Sequence, residues 1–434
     1  MKIKFLYFIF ALICILNIAN AKPILNINHW QTNNGALVYF VKTTQLPILD
    51  VRVLFNAGSR QDNKLHGIAN LTARTLDEGT NKFNANQIAE KFDEVGTQFH
   101  IGVNRDISIL SLRCLTKKTS LMPSIDLLHD IISNPIFPPK EFKRVKSQIL
   151  TEIVAQLQQP TIIATLDFYK NLYGNSPYAH PVIGTQVSVK SIELSDVIKF
   201  YHKYYTAKNA IIILVGKISK KTAKELANKI TTNLMKGTSI PPLPQTQPIT
   251  QNLVKHISHP GTQSYIRLGC IGINFDNKNY FPILVGNHIL GGGILVSRLF
   301  NEVRQKGGLS YSVKSKFILL KNRGPFMILL QTKNKSRNQA LKITKKVLND
   351  FVKKGATPQE LQDAKKFLRG SFALQRGSSA KIANLLSMMA FYQLPLNYLD
   401  TYKQNINAVT TKQIKKAFQE IIGRQKLVIV SVGA

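Results

Sequence analysis

The sequence predicts an α+β protein of two similar halves, each a mixed or antiparallel sheet covered on one face by helices. Three observations predict it. Strand-like stretches and long helical stretches alternate without the regular rhythm of a βαβ protein. The order of elements that closes the first half recurs at the end of the chain. Between the halves lies Pro241-Pro242-Leu243-Pro244-Gln245-Thr246-Gln247-Pro248, whose prolines can continue neither a helix nor a central strand, so it reads as a linker. The expected boundaries are a leader at 1–21, a first domain at 22–236, a linker at 237–250 and a second domain at 251–434. At 434 residues, 44% of them hydrophobic, the chain can bury a core in each half.

Taken in order, Met1-Lys2-Ile3-Lys4, the apolar run Phe5 to Ile18 and the small residues Ala19-Asn20-Ala21 form the three regions of a secretory signal, with cleavage expected after Ala21. The run is too short for a membrane span, and Cys14 lies inside it rather than at its end, which argues against a lipoprotein. The mature chain is therefore expected in a bacterial periplasm or outside the cell. Ala36 to Val41 and Ile48 to Phe55 read as strands. Ile88, Phe92 and Val95 fall at helical spacing before Gly96, a stop signal. Ile107 to Leu115 reads as a further strand, and Pro138-Pro139 opens a long helix. Tyr204-Tyr205-Thr206-Ala207-Lys208-Asn209 leads into the apolar strand Ala210 to Val215. In the second half Tyr265 to Ile273 is strand-like, and Ala356-Thr357-Pro358-Gln359-Glu360-Leu361 opens a helix as the Pro139 region does. Ile406 to Ile422 mirrors Val189 to Tyr205, and Leu427 to Gly433 mirrors the strand that ends at Val215-Gly216.

Charge and cysteines narrow the function classes. The formal net charge is +35, or +33 once Lys2 and Lys4 leave with the leader. Lys and Arg are spread along the whole chain, with no basic tail and no interleaving of aromatic and basic residues, so a nucleic-acid partner is not indicated. A solvated basic surface is the plain reading, and attraction to an anionic membrane surface or to acidic peptides is the functional one. Removing the leader leaves Cys114 and Cys270. Export would permit a bond between them, while buried thiols packing as small hydrophobes are the commoner case.

One stretch carries the chemistry of a metal site without its ligands. Gly67-Ile68-Ala69-Asn70-Leu71-Thr72-Ala73-Arg74-Thr75-Leu76-Asp77-Glu78-Gly79-Thr80 resembles the signature helix of the pitrilysin and insulinase family of zinc peptidases, the inverzincins, in which H-x-x-E-H sits between the same flanks. Here those five places read Asn70, Leu71, Thr72, Ala73 and Arg74. Zinc needs a neutral imidazole or a carboxylate, and catalysis needs a carboxylate to take a proton from bound water; Asn, Ala and Arg supply neither. His66, one residue before Gly67, reads as a capping or surface residue. Helical spacing puts positions 70, 73 and 74 on one face. The resemblance implies a third ligand, a Glu on a later helix, and the matching position is Glu152 in Gln148-Ile149-Leu150-Thr151-Glu152-Ile153. Val145, Ile149 and Glu152 share helical spacing, so Glu152 is expected on the inward face, where a carboxylate needs a partner. The expected partner is Arg74, whose guanidinium can supply the fixed charge and two hydrogen bonds. The alternative is a Glu152 partly exposed on its helix and an Arg74 facing solvent.

A second stretch keeps its residues. Gly291-Gly292-Gly293-Ile294-Leu295-Val296-Ser297-Arg298-Leu299-Phe300-Asn301-Glu302-Val303-Arg304-Gln305-Lys306-Gly307-Gly308-Leu309-Ser310-Tyr311-Ser312-Val313 is similar to the same family's glycine-rich loop, helix and strand. It lacks the Gly-Lys-Ser/Thr of a phosphate loop. The resemblance implies that Arg304 and Tyr311, seven residues apart, are the pair that holds substrate and the developing oxyanion, a task that charge-assisted and phenolic donors suit. Gly307-Gly308 would turn the chain so that Tyr311 returns beside Arg304.

The resemblance extends over nearly the whole mature chain and implies two α+β domains arranged as a clam shell. In small two-chain members one subunit carries H-x-x-E-H and the other contributes Arg and Tyr. The expectation is thus a non-catalytic subunit of a heterodimeric zinc metallopeptidase, inactive alone. Zinc, general base and peptide hydrolysis would belong to a homologous H-x-x-E-H partner. An inert structural or peptide-binding member and a peptidase with atypical ligands are the other readings.

Overall fold

The computed structural model describes residues 23–434; the expected leader at 1–21 lies outside the described residues. Two sheets carry the fold. In the first, β1 (Asn28–Gln31), β2 (Leu37–Lys42), β3 (Ile48–Phe55), β4 (Gln98–Val103), β5 (Ser108–Leu115) and β6 (Ala210–Gly216) lie in the order β1-β2-β6-β3-β5-β4. In the second, β7 (Leu253–Ser258), β8 (Gln263–Ile271), β9 (Ser312–Phe317), β10 (Pro325–Lys333) and β11 (Val428–Gly433) lie in the order β7-β11-β8-β10-β9. Apart from the extra β1, the two orders correspond strand for strand. In each half the opening strand pairs in parallel with the closing one, β2 with β6 and β7 with β11, and every other pairing is antiparallel. The recurrence seen in the sequence is therefore a repeated sheet topology.

Alternation fixes the faces. Along β3, Leu49, Val51, Val53 and Phe55 are buried in the first half's helical core, while Asp50, Arg52 and Leu54 point to the other side, as the two-residue period of a strand requires. The flanking helices form where read: Ala85–Glu94, with Ile88 and Phe92 buried; Pro139–Gln156, opened by its proline; and Pro358–Leu374, whose Thr357 and Glu360 make a capping box. No helix or strand occupies 237–250.

The halves also exchange helices. Pro160–Tyr173, from the first half, packs on β8 and β11, where Phe168, Tyr169 and Leu172 share a core with Ile271, Met327 and Val430. Reciprocally, Ser379–Phe391 packs on β3 and β6, joining Ile382 and Leu386 to Leu54, Ile213 and Val215. Each sheet thus has its own helices on one face and a helix of the opposite half across the other.

Where the halves meet, Asp106 is fully buried. Its carboxylate accepts from the Tyr178 hydroxyl (2.7 Å), the Lys321 backbone N–H (2.8 Å) and the Tyr392 hydroxyl (3.2 Å), and the buried Arg60 Nε lies 3.3 Å away. A buried carboxylate survives only with such compensation, and these groups come from both halves. Cys114 and Cys270 are buried free thiols, each pushed up to about 12 by burial, which keeps them protonated and inert.

Candidate functional site: an ion pair in a metal motif

The motif helix spans Ile68–Arg74. Its start is set by Gly67 in the left-handed region (φ 101°), where a Cβ would lie 2.7 Å from the Ile183 carbonyl oxygen. Only glycine fits there. The free N–H groups of the first turn go to the buried Asp62 carboxylate, which accepts from Gly67 N at 2.7 Å and Ala69 N at 3.0 Å. Burial pushes the Asp62 carboxyl up to about 8, against these two bonds.

Capping therefore falls to Asp62 and not to His66, which is half-buried. Its ring stacks on that of His180, centroids 4.1 Å apart and planes 6° from parallel. Together they line a cavity of about 420 Å³ with Leu157, Ile163, Pro181 and Ile257. Burial holds the His180 imidazole down at about 4 and lowers His66 as well. The stacking partner lies too far along the chain for the sequence to reveal it.

At the five motif places Leu71, Thr72 and Ala73 are buried, and the Asn70 Oδ1 and Thr72 hydroxyl are buried without a hydrogen-bond partner. Arg74 closes the helix and reaches the Pro139–Gln156 helix. Its Nη1 donates to Glu152 Oε2 at 2.8 Å and its Nη2 to Oε1 at 2.9 Å. The pairing is the one expected, but its setting is different. The Arg74 and Glu152 side chains are 32% and 46% exposed, because Ile153, and not Glu152, continues the buried stripe of Phe142, Val145 and Ile149. One residue along a helix is a turn of about 100°, enough to carry Glu152 to the rim. The donor set does not fit zinc: an amide, a methyl group and a guanidinium replace the ligands and base, and the remaining carboxylate is taken by the guanidinium. Among the described residues no group of three or more His, Cys, Asp or Glu comes together to hold a metal.

In the second half Arg304 lies on the wide helical turn Phe300–Lys306. Gly308 (φ 59°) bonds back to the Arg304 carbonyl and Leu309 N to Val303 O, so the glycines do turn the chain into β9. Tyr311 enters at the strand's start, its N–H on the Gln331 carbonyl. Its side chain is 58% exposed, and the exposed Arg304 guanidinium lies 5.2 Å from the Phe300 ring centre. Among the described residues neither Arg304 nor Tyr311 spends its side-chain donors on another protein group. The preceding loop presents Ile294, Leu295 and Val296 to solvent, 83%, 65% and 70% exposed.

The family description "Insulinase (Peptidase family M16)" matches residues 38–186, and "Peptidase M16 inactive domain" matches 191–368. A solved structure of a peptidase M16 inactive domain from Pseudomonas fluorescens is 37% identical, with a TM-score of 0.91, covering 94% of this chain and 98% of that one. The non-peptidase homolog YmxG of Helicobacter pylori is 26% identical over 402 residues, 91% of this chain and 92% of that protein. The uncharacterized zinc protease YmxG of Bacillus subtilis is 25% identical over 354 residues, 81% and 85% of the two chains. The repeated sheet topology coincides with these matches, and the chain belongs to the peptidase M16 (insulinase) family.

Proposed function

We propose that this protein is the non-catalytic subunit of a two-chain peptidase of the M16 family, lending Arg304 and Tyr311 to a zinc site held by a homologous subunit. The observation that carries this reading is the contrast between the two motifs. Arg74 and Glu152 consume each other where a metal would sit, while Arg304 and Tyr311 keep exposed, uncommitted donors. Donors aimed at a carbonyl gaining negative charge act without a metal of their own. In this reading the partner supplies zinc, water and general base, and this chain binds and orients the peptide. The leader-like start supports export to the periplasm, and a charge of +33 on the remaining chain favours approach to anionic membrane surfaces.

Co-expression with an H-x-x-E-H homologue tests the reading. Peptide cleavage is expected from the mixture and from neither chain alone, falling by about 10²-fold with Arg304→Ala or Tyr311→Phe, in the range for loss of one oxyanion donor. Full activity of the mixture with both changes would refute it. The edge position of β4 favours a second reading, peptide capture by strand addition without cleavage. Peptide binding by the chain alone, with no cleavage in any mixture, would select that one.

A further inference from the structure

The face of the first sheet turned away from its own helices carries two rows of polar side chains across β3, β5 and β4. In one row Asp50 lies opposite Arg113, and Arg113 opposite Gln98. This row is self-sufficient: Arg113 Nε and Nη2 donate to the two Asp50 oxygens at 2.9 and 3.0 Å. In the next row Arg52 lies opposite Ser111, and Ser111 opposite His100. On its other side Arg52 faces Ile213 of β6. No carboxylate stands in this row.

Arg52 is half-buried, its Nε is buried without a partner, and among the described residues none of its nitrogens donates to another group. An Nε withdrawn from water with no acceptor is costly; burial lowers the Arg52 pKa, with Asp50 acting to raise it and Arg113 to lower it. Arg52, Asp50, Arg113, His100 and Ser111 line a cavity of about 220 Å³, and Ala380 of the helix donated by the second half forms part of its wall. That volume is below the roughly 300–1,000 Å³ of pockets that enclose a whole organic ligand. It suits one side chain or one chain end. Since Arg113 takes both Asp50 oxygens, Arg52 keeps a planar fork of donors with no acceptor in the cavity, the geometry that a carboxylate matches.

We propose that this cavity is a carboxylate site in which Arg52 grips one acidic side chain, or the free C-terminal carboxylate, of a peptide lying between the two halves. That the carboxylate belongs to a peptide rests on the proposed function; the cavity's demand for a carboxylate does not, and it is tested on this chain alone without any assay of cleavage.

Three dye-labelled peptides of one sequence distinguish the sources: amidated with a central Glu, amidated with Gln in its place, and the Gln peptide with a free C-terminus. Fluorescence polarisation with the purified chain is expected to show at least one carboxylate-bearing peptide binding about ten-fold or more tightly than the amidated Gln peptide, as a charge-assisted hydrogen bond provides. Glu preference identifies a side-chain site, and preference for the free acid a terminal one. Arg52→Gln is expected to abolish the preference and leave the affinity for the neutral peptide and the melting temperature unchanged. Ala380→Phe, which fills the cavity from the opposite half, should do the same if the first variant fails to fold. Equal binding of the three peptides, binding of none, or a preference that survives in a folded variant would overturn the proposal.

Discussion

Arg74 and Glu152 form a two-pronged ion pair across the Ile68–Arg74 and Pro139–Gln156 helices, with nitrogen to oxygen distances of 2.8 and 2.9 Å. The Glu152 carboxylate is thus met by a permanent cation. The pair stands at a rim open to water, so it contributes only about 0–1 kcal/mol to stability. Its significance is geometric, since position 74 already stands within bonding reach of the Glu152 carboxylate.

That geometry predicts that the site can be rebuilt. Asn70→His, Ala73→Glu and Arg74→His together place two imidazoles one helical turn apart, facing Glu152, the ligand set that zinc accepts. One zinc per chain is expected by elemental analysis of the triple variant, and none when Glu152→Ala is added. Equal zinc content with and without Glu152 would show that Glu152 is not a remnant ligand.

Asp106 predicts where the halves are locked. It binds Tyr178 of the first half and both Tyr392 and the Lys321 N–H of the second. Asp106→Ala leaves the buried Arg60 charge without its counter-ion and is expected to cost about 3–5 kcal/mol. Tyr392→Phe removes one hydrogen bond and is expected to cost about 1 kcal/mol. Thermal unfolding of both variants checks the order, and equal melting temperatures would contradict it.

His180 predicts a loss of stability in acid. Burial lowers its pKa from 6.5 to about 4, so between those values the unfolded chain binds more protons than the folded one. The stabilisation is complete above about pH 6.5 and is lost as pH falls toward 4, up to about 3 kcal/mol. Asp62, pushed up to about 8, works in the opposite sense: it favours the fold in acid, and its contribution fades as pH rises toward 8. Asp62 Oδ2 lies 3.7 Å from His180 Nδ1, so comparing His180→Phe with the parent reads the imidazole's effect together with any change in Asp62. The variant's relative melting temperature should climb as pH drops from 6.5 to 4, and a constant difference would contradict the assignment.

Much of this was legible in the sequence, for physical reasons. The strand Ile48–Phe55 announces itself by alternation, Pro139 and Pro358 mark helix starts because their missing N–H costs nothing there, and the pairing of Arg74 with Glu152 comes from the family resemblance, while helical spacing misplaced Glu152 on the inward face. What was not legible depends on residues distant in the chain. The short polar strand Asn28–Gln31 has no periodic signal. The exchange of Pro160–Tyr173 and Ser379–Phe391 between halves is a tertiary choice between two apolar surfaces of equal appeal. In the sequence Asp106 is one polar residue of Asn104-Arg105-Asp106, and Arg52 one basic residue between Ile48 and Phe55. Only the register across three strands shows that one is satisfied and the other is not.

The most direct test is peptide hydrolysis by an equimolar mixture of this chain and an H-x-x-E-H homologue, with metal content measured on each chain beforehand. The account predicts no zinc and no turnover in this chain alone, turnover in the mixture, and a loss of about 10²-fold when Arg304 is replaced by Ala. Zinc bound to the purified chain together with turnover by it alone would contradict the account, as would a mixture indifferent to Arg304.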